Sequence, residues 1–190
     1  MRILLVFCHP RRDALTGAVA DRFRAGAEAA GHMVEWADLY REGFDPLLRE
    51  PDEPDRSVVG KTYSEAVQRE MARVDRNEAI VMIFPVWWWS LPAMLKGWID
   101  RVWNRDWAYG ARKLPHAHGL MIGIASSSEA SFRKRDYLKA IRIQLETGVM
   151  AYCGIADARL ELLYDSTRDD KAGALLLSRA YELGRRFPSP

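Results

Sequence analysis

Cysteine is scarce, with Cys8 and Cys153 the only two among 190 residues. Two thiols make neither a disulfide framework nor a metal cluster in a domain of this size. Each reads as a small buried thiol among apolar neighbours, and no metal site is expected. Charge of one sign is scarce too: 28 basic against 26 acidic residues leave a net charge of +2. With both signs interspersed, there is no electrostatic footprint for nucleic acid. The densest basic run, Arg133-Lys134-Arg135, is short and reads as a solvated loop or helix start. Long apolar runs are missing. The run from Arg2 to Cys8 stops at His9-Pro10-Arg11-Arg12-Asp13, too short for a signal-peptide core and far too short to span a bilayer. The expectation is a cytoplasmic protein with no membrane insertion. The sequence also lacks G-x-G-x-x-G, G-x-x-x-x-G-K-[ST] and G-x-S-x-G, which removes support for a dinucleotide-type Rossmann loop, a P-loop and a nucleophile elbow.

What is present is ample core material. Apolar residues make up 48% of the chain and charged residues 28%, and the length suits one core, so residues 1–190 are expected to form a single domain. Short apolar runs alternate with longer amphipathic stretches. Ile3 to Phe7 reads as a strand covered on both faces, followed by a helical stripe through Leu15, Val19, Phe23, Ala27 and Ala30 that Gly31 closes. Met33 to Leu39 is a weaker second strand. Arg41 to Gly60, rich in Pro, Asp, Glu and Arg, reads as a long surface excursion. A helix over Ser64 to Val74 precedes a strand at Ile80 to Phe84. Pro92 begins a helix bearing Leu95, Trp98, Ile99 and Val102. Leu120 to Ala125 is a fourth strand. A helix from Asp136, stopped by Gly154, leads to a fifth strand over Ala158 to Tyr164. The final helix carries Ala172, Leu176, Ala180, Leu183 and Phe187. This order predicts an α/β fold with a five-stranded parallel sheet and helices on both faces.

In such sheets ligands sit beyond the carboxyl ends of the strands, near the switch point of the strand order. Three loops therefore matter: His9 to Thr16, Pro85 to Leu91, and Ser126 to Phe132. The first runs straight into a helix, whose free N–H groups, with Arg11 and Arg12 nearby, suit a phosphate. The same residues would equally serve only to shape a turn. The second holds Trp87, Trp88 and Trp89, which cannot all face one core from a strand end. At least one should reach a cleft or an interface, where a flat aromatic surface can stack on a planar ring. Packing under neighbouring helices or against a second subunit is the alternative.

The segment Pro85-Val86-Trp87-Trp88-Trp89-Ser90-Leu91-Pro92-Ala93-Met94-Leu95-Lys96-Gly97-Trp98-Ile99-Asp100-Arg101-Val102 strongly resembles the signature of the NAD(P)H:quinone oxidoreductases of flavodoxin-like fold. That group includes drug-activity modulators and ancillary subunits of potassium-efflux systems. Trp107-Ala108-Tyr109-Gly110 resembles the family's aromatic-Ala-Tyr stretch, and His9-Pro10 its cofactor-phosphate loop. The resemblance implies a flavodoxin-like doubly wound sandwich that binds FAD, or alternatively FMN. It further implies hydride transfer from NAD(P)H to quinones or similar acceptors by a ping-pong mechanism, in a homodimer. On its terms His9, Ala14, Leu15 and Thr16 lie at the flavin phosphate and ribityl chain. Pro85, Val86, Trp87, Trp88 and Trp89 frame the ring, and Ala125, Ser126, Ser127 and Ser128 lie along its pyrimidine edge. Tyr109, Phe132 and Tyr137 are the expected catalytic positions, Tyr109 being reached across the dimer interface. Docking on a potassium-efflux transporter, and a scaffold with weakened flavin binding, are the alternative readings.

Three positions depart from the family pattern. Ala14 replaces a common Ser, removing one hydroxyl donor to phosphate. Ala125-Ser126-Ser127-Ser128 replaces Thr-Thr-Gly-Gly, exchanging backbone freedom for hydroxyls. Phe132 replaces a common Tyr and can stack but not donate, so Tyr137, His116 and His118 are candidate replacement donors.

Overall fold

The computed structural model describes residues 1–58 and 60–189; Val59, inside the expected excursion, and Pro190 lie outside the described residues. Five strands, β1 (Arg2–Phe7), β2 (Met33–Asp38), β3 (Ala79–Pro85), β4 (His118–Ile124) and β5 (Asp157–Leu163), form one sheet. All pairings are parallel, in the order β2-β1-β3-β4-β5. The helices are α1 (Leu15–Ala29), α2 (Glu65–Asp75), α3 (Ala93–Val102), α4 (Glu129–Lys134), α5 (Tyr137–Arg142, running on as a π-helix over Ile143–Ala151) and α6 (Asp170–Arg186). The order is that of a flavodoxin-like sheet, whose chain reverses direction between β1 and β3.

Period-two alternation divides each central strand between two cores. Leu4, Val6, Ile80, Met82 and Phe84 face a core with α2, α3 and α5, through Val74, Leu95, Trp98, Ile141 and Leu145. Ile3, Leu5, Phe7, Val81 and Ile83 face a second core with α1 and α6, through Val19, Phe23, Ala27 and Ala180. Both thiols are buried and free, as expected. The edge strand β5 is covered by side chains: Leu160 N–H donates to the Glu146 carboxylate at 2.7 Å, and Arg142 donates to Leu160 C=O at 3.2 Å. That satisfies backbone groups which an edge otherwise leaves open.

Two expectations need correction. The excursion after β2 is not simply superficial. It carries a short 3-10 turn, Glu50–Asp52, and Asp52 pairs with Arg101 of α3 at 2.7 Å, with side chains 4% and 7% exposed. Pro46 crosses α3 so closely that a Cβ on Gly97 would lie 2.2 Å from its carbonyl oxygen. Signs of this strap were present: Arg101 stands three residues after Trp98 on the apolar stripe, where a charge requires a partner. The expected loop to Phe132 is also shorter, because Ser128 caps α4 and places Phe132 inside it.

Candidate functional site

Parallel pairing brings the three loops out side by side. Cys8 N–H donates to Ile83 C=O, Val86 N–H to Ile124 C=O and Ala125 N–H to Leu163 C=O, at 3.0, 2.8 and 2.8 Å. Strand extensions are thus knitted together just where the loops diverge.

The tryptophan segment is a two-residue hairpin. Trp87 N–H donates to Ser90 C=O at 3.2 Å and Ser90 N–H to Trp87 C=O at 3.1 Å. Trp88 and Trp89 between them have φ of 52° and 55°, so the turn is of type I′, a geometry that favours Asn and Gly. Two bulky residues in the left-handed region mark stored strain of the kind found at functional sites. The geometry lifts Trp88 to 89% exposure, and its neighbours Trp87 and Trp89 are also exposed.

Facing this turn is the segment after β4. Val86, Trp88, Trp89, Ala125, Ser126, Ser127 and Phe132 line one cleft of about 240 Å³. Phe132 is 1% exposed and forms its wall, held edge-on to Tyr164 at 5.3 Å and to Tyr137 at 6.2 Å. Ser128 is withdrawn from the cleft lining: its hydroxyl accepts Ser131 N–H at 3.3 Å as the cap of α4. No residue from 125 to 128 has positive φ, so the serines fit this loop without backbone strain, and Ser126 and Ser127 place hydroxyls at the cleft.

The loop after β1 is shaped more than charged. Arg11 N–H donates to His9 Nδ1 at 3.0 Å, closing a small turn, and the His9 ring lies 6.0 Å from that of Trp87. Arg12 turns back to pair with Asp21 and lies over Trp36 at 4.7 Å, leaving Arg11 exposed. Its expected help at a phosphate is therefore directed elsewhere. A Cβ on Gly17 would lie 2.0 Å from Arg12 C=O, so glycine is what lets this loop fold onto α1. At the start of α1, Ala14 provides no side-chain cap. The first-turn N–H groups, those of Leu15 and Thr16 included, thus have no capping side chain and form the kind of cradle that takes an anion.

These features fit a flavin. Aromatic and aliphatic walls suit a planar ring, the hydroxyls of Ser126 and Ser127 suit its polar edge, and the uncapped helix start suits a phosphate. The N–H groups of Trp88 and Trp89 lie outside the hairpin's own two hydrogen bonds. Pro85 is buried at the base of the turn; at the start of α1, Thr16 is buried and Leu15 partly so.

Not every expected residue is here. Tyr109 lies in the connection from the end of α3 to the start of β4, at the opposite end of the sheet. Strands of seven residues put it about 20 Å from the cleft of its own chain. It pairs there with Tyr152 at 5.9 Å, a partner the sequence did not reveal. Burial, then Tyr152, pushes the Tyr109 hydroxyl above its usual range. His116 and His118 are corrected as candidate donors, for both lie at that same far end. His116 is buried with Nε2 3.1 Å from Val74 C=O, and burial lowers its pKa; His118 pairs with Asp157 at 3.0 Å. Tyr137 does reach the site, stacked on Trp89 at 4.2 Å.

Comparison with known proteins agrees with this fold. The family described as flavodoxin-like fold matches residues 1–182. An uncharacterized NAD(P)H oxidoreductase of Escherichia coli (strain K12) is 39% identical over 163 residues, 85% of this chain and 83% of that protein. The structure of an NAD(P)H:quinone oxidoreductase from Methanothermobacter marburgensis superposes with a TM-score of 0.95 at 28% identity, covering 100% of this chain and 97% of that one. An FMN-dependent NADH-azoreductase from Bacillus anthracis, solved with FMN, shares the fold at 15% identity and a TM-score of 0.65, with 97% and 96% covered. Among the described residues, no helix is long and apolar enough to cross a membrane.

Proposed function

The chain belongs to the family of flavodoxin-like fold, and from that premise we propose that it is a flavin-dependent NAD(P)H oxidoreductase acting on quinones or similar planar acceptors. Residues 1–190 act as one flavodoxin-like unit in this reading. The observation that carries it is the cleft between Trp88, Trp89 and Phe132, edged by Ser126 and Ser127, at the carboxyl ends of β3 and β4, one strand along from the switch point. The names of the E. coli and M. marburgensis relatives support the reaction class.

A bound flavin supplies the two-electron redox chemistry, which no side chain here provides. The protein's part is to bind and orient. Val86 and the tryptophan turn present an apolar floor, the Trp88 and Trp89 rings set edge-to-face at 6.4 Å, while Phe132 closes the wall. Ser126 and Ser127 offer donors to a polar edge, and the start of α1 offers N–H groups to a phosphate. His9 shapes the loop that leads there. Donor and acceptor taking turns over one bound ring, in a ping-pong order, is the reaction sequence that this reading adopts, since stacked planar partners need only proximity. Tyr109 and Tyr152, remote within one chain, would wall the acceptor side through a second copy in a homodimer.

FAD is the expected form and FMN the alternative; denaturing release of the cofactor and its mass distinguishes them. The purified protein, given either flavin, is expected to retain yellow absorbance at micromolar concentration. It should then oxidise NADH or NADPH with a quinone, giving parallel double-reciprocal plots. Protein that retains neither flavin overturns the reading.

A further inference from the structure

The two walls of the cleft come from different strands, and one side chain touches both. Tyr137 stacks on Trp89 with ring centroids 4.2 Å apart and meets Phe132 edge-on at 6.2 Å. Seven residues on, two turns along the same helical face, Gln144 Oε1 accepts a hydrogen bond from the Ser90 hydroxyl at 3.1 Å. The tryptophan turn is therefore gripped at both of its last two residues by one helix. That helix is itself fixed to the sheet, since Glu146 accepts from both Arg142 and Leu160 N–H at 2.7 Å.

Such a grip answers a need that the turn creates. Neither Trp88 nor Trp89 favours positive φ, so the local chain prefers other conformations, and outside contacts must supply the difference. We propose that Tyr137 and Gln144 are positioning residues that hold the Trp88–Trp89 turn in its left-handed form and set the spacing between the cleft walls. Tyr137 acts through its ring rather than by donating its hydroxyl proton, and Gln144 acts through its amide oxygen. The inference rests on reading the cleft as the flavin site, but the state of the turn can be measured without flavin.

The test is amide hydrogen exchange at Trp87 and Ser90, whose N–H groups close the turn, in flavin-free protein, followed by titration with FAD and FMN. Tyr137→Ala and Gln144→Ala are expected to speed exchange at both amides by about tenfold or more, and to weaken flavin binding in step. Tyr137→Phe, which keeps the ring, is expected to match the parent in exchange and affinity. Unchanged exchange in both alanine variants overturns the proposal. So does Tyr137→Phe exchanging as fast as Tyr137→Ala, or losing turnover with exchange unaltered, since that assigns the role to the hydroxyl. If Tyr137→Ala does not fold, Gln144→Ala and Tyr137→Phe decide by the same criteria. Parent protein that binds no flavin sinks the flavin reading alone, because exchange still reports on the grip.

Discussion

Trp88 and Trp89 place the cost of the site in two adjacent residues. A non-glycine residue at positive φ costs about 1–2 kcal/mol, and Trp88 recovers little of that by burial, being 89% exposed. Stability and binding should therefore respond in opposite directions at this position. Trp88→Gly is expected to leave unfolding free energy unchanged or raised by up to about 1 kcal/mol, because glycine takes the left-handed conformation freely. Flavin affinity should meanwhile fall about tenfold with the loss of a stacking surface. Urea unfolding and flavin titration of one preparation measure both. A clear drop in stability would mean that the ring holds the fold rather than the ligand. The two thiols give a second prediction. Burial pushes Cys8 up to about 12, against an opposing Leu95 backbone hydrogen bond, and pushes Cys153 up to about 11. Both are neutral at pH 7 and enclosed, so Ellman's reagent should modify neither until the protein unfolds. Fast labelling of native protein at neutral pH would contradict their placement.

Among the elements, the strap between β2 and α2 depends on a buried ion pair. Burial raises the Asp52 carboxyl, but hydrogen bonds from Arg101 and from the N–H and hydroxyl of Ser64 outweigh it and hold its pKa below the usual range. A depressed carboxylate contributes stability that is fully present above its unfolded pKa, near 4, and is lost as pH falls through the folded value. Asp52→Asn should accordingly flatten the acid limb of the stability curve below about pH 4. Arg101→Ala should cost about 3–5 kcal/mol at pH 7 by stranding a buried carboxylate, and the pair Asp52→Asn with Arg101→Met should recover most of it. Urea unfolding at pH 7 and across pH 3 to 5 tests all three. The strap also shows why parts of the structure escaped the sequence. Strand and helix periodicities follow from local geometry, so the alternation of Ile3 to Phe7 and the stripe of α1 were readable. The Arg101–Asp52 pair joins residues 49 positions apart, and nothing local to Asp52 marks it as buried. The grip on Ser90 by Gln144 is equally remote, 54 positions away. The capping role of Ser128 was hidden for a different reason, since an N-cap serine and a cleft-facing serine look alike until the helix boundary is known.

For the whole molecule, chain connectivity limits what a single copy can assemble. A segment joining a helix end to the next parallel strand lies at the amino end of the sheet, which is where Tyr109 and Tyr152 are found. The resemblance that grouped Tyr109 with the tryptophan turn can therefore hold only if two chains share the site. A two-fold dimer makes this symmetric, with each copy lending its far end to the other's cleft. The consequence is complementation. Homodimers of Trp88→Ala lack the floor at both sites, and homodimers of Tyr109→Ala lack the acceptor wall at both. Random reassortment of the two makes half the dimers mixed, and each mixed dimer has one intact site and one doubly altered site. Co-expressed or co-refolded variants should therefore recover about a quarter of the parent's quinone reduction per chain, above either variant alone. Sedimentation velocity on the same samples should show a dimer, and dilution that dissociates it should abolish the recovered activity. A Tyr109→Ala homodimer as active as the parent, or mixtures no better than their components, would confine the site to one chain and leave the Tyr109–Tyr152 pair a feature of packing alone.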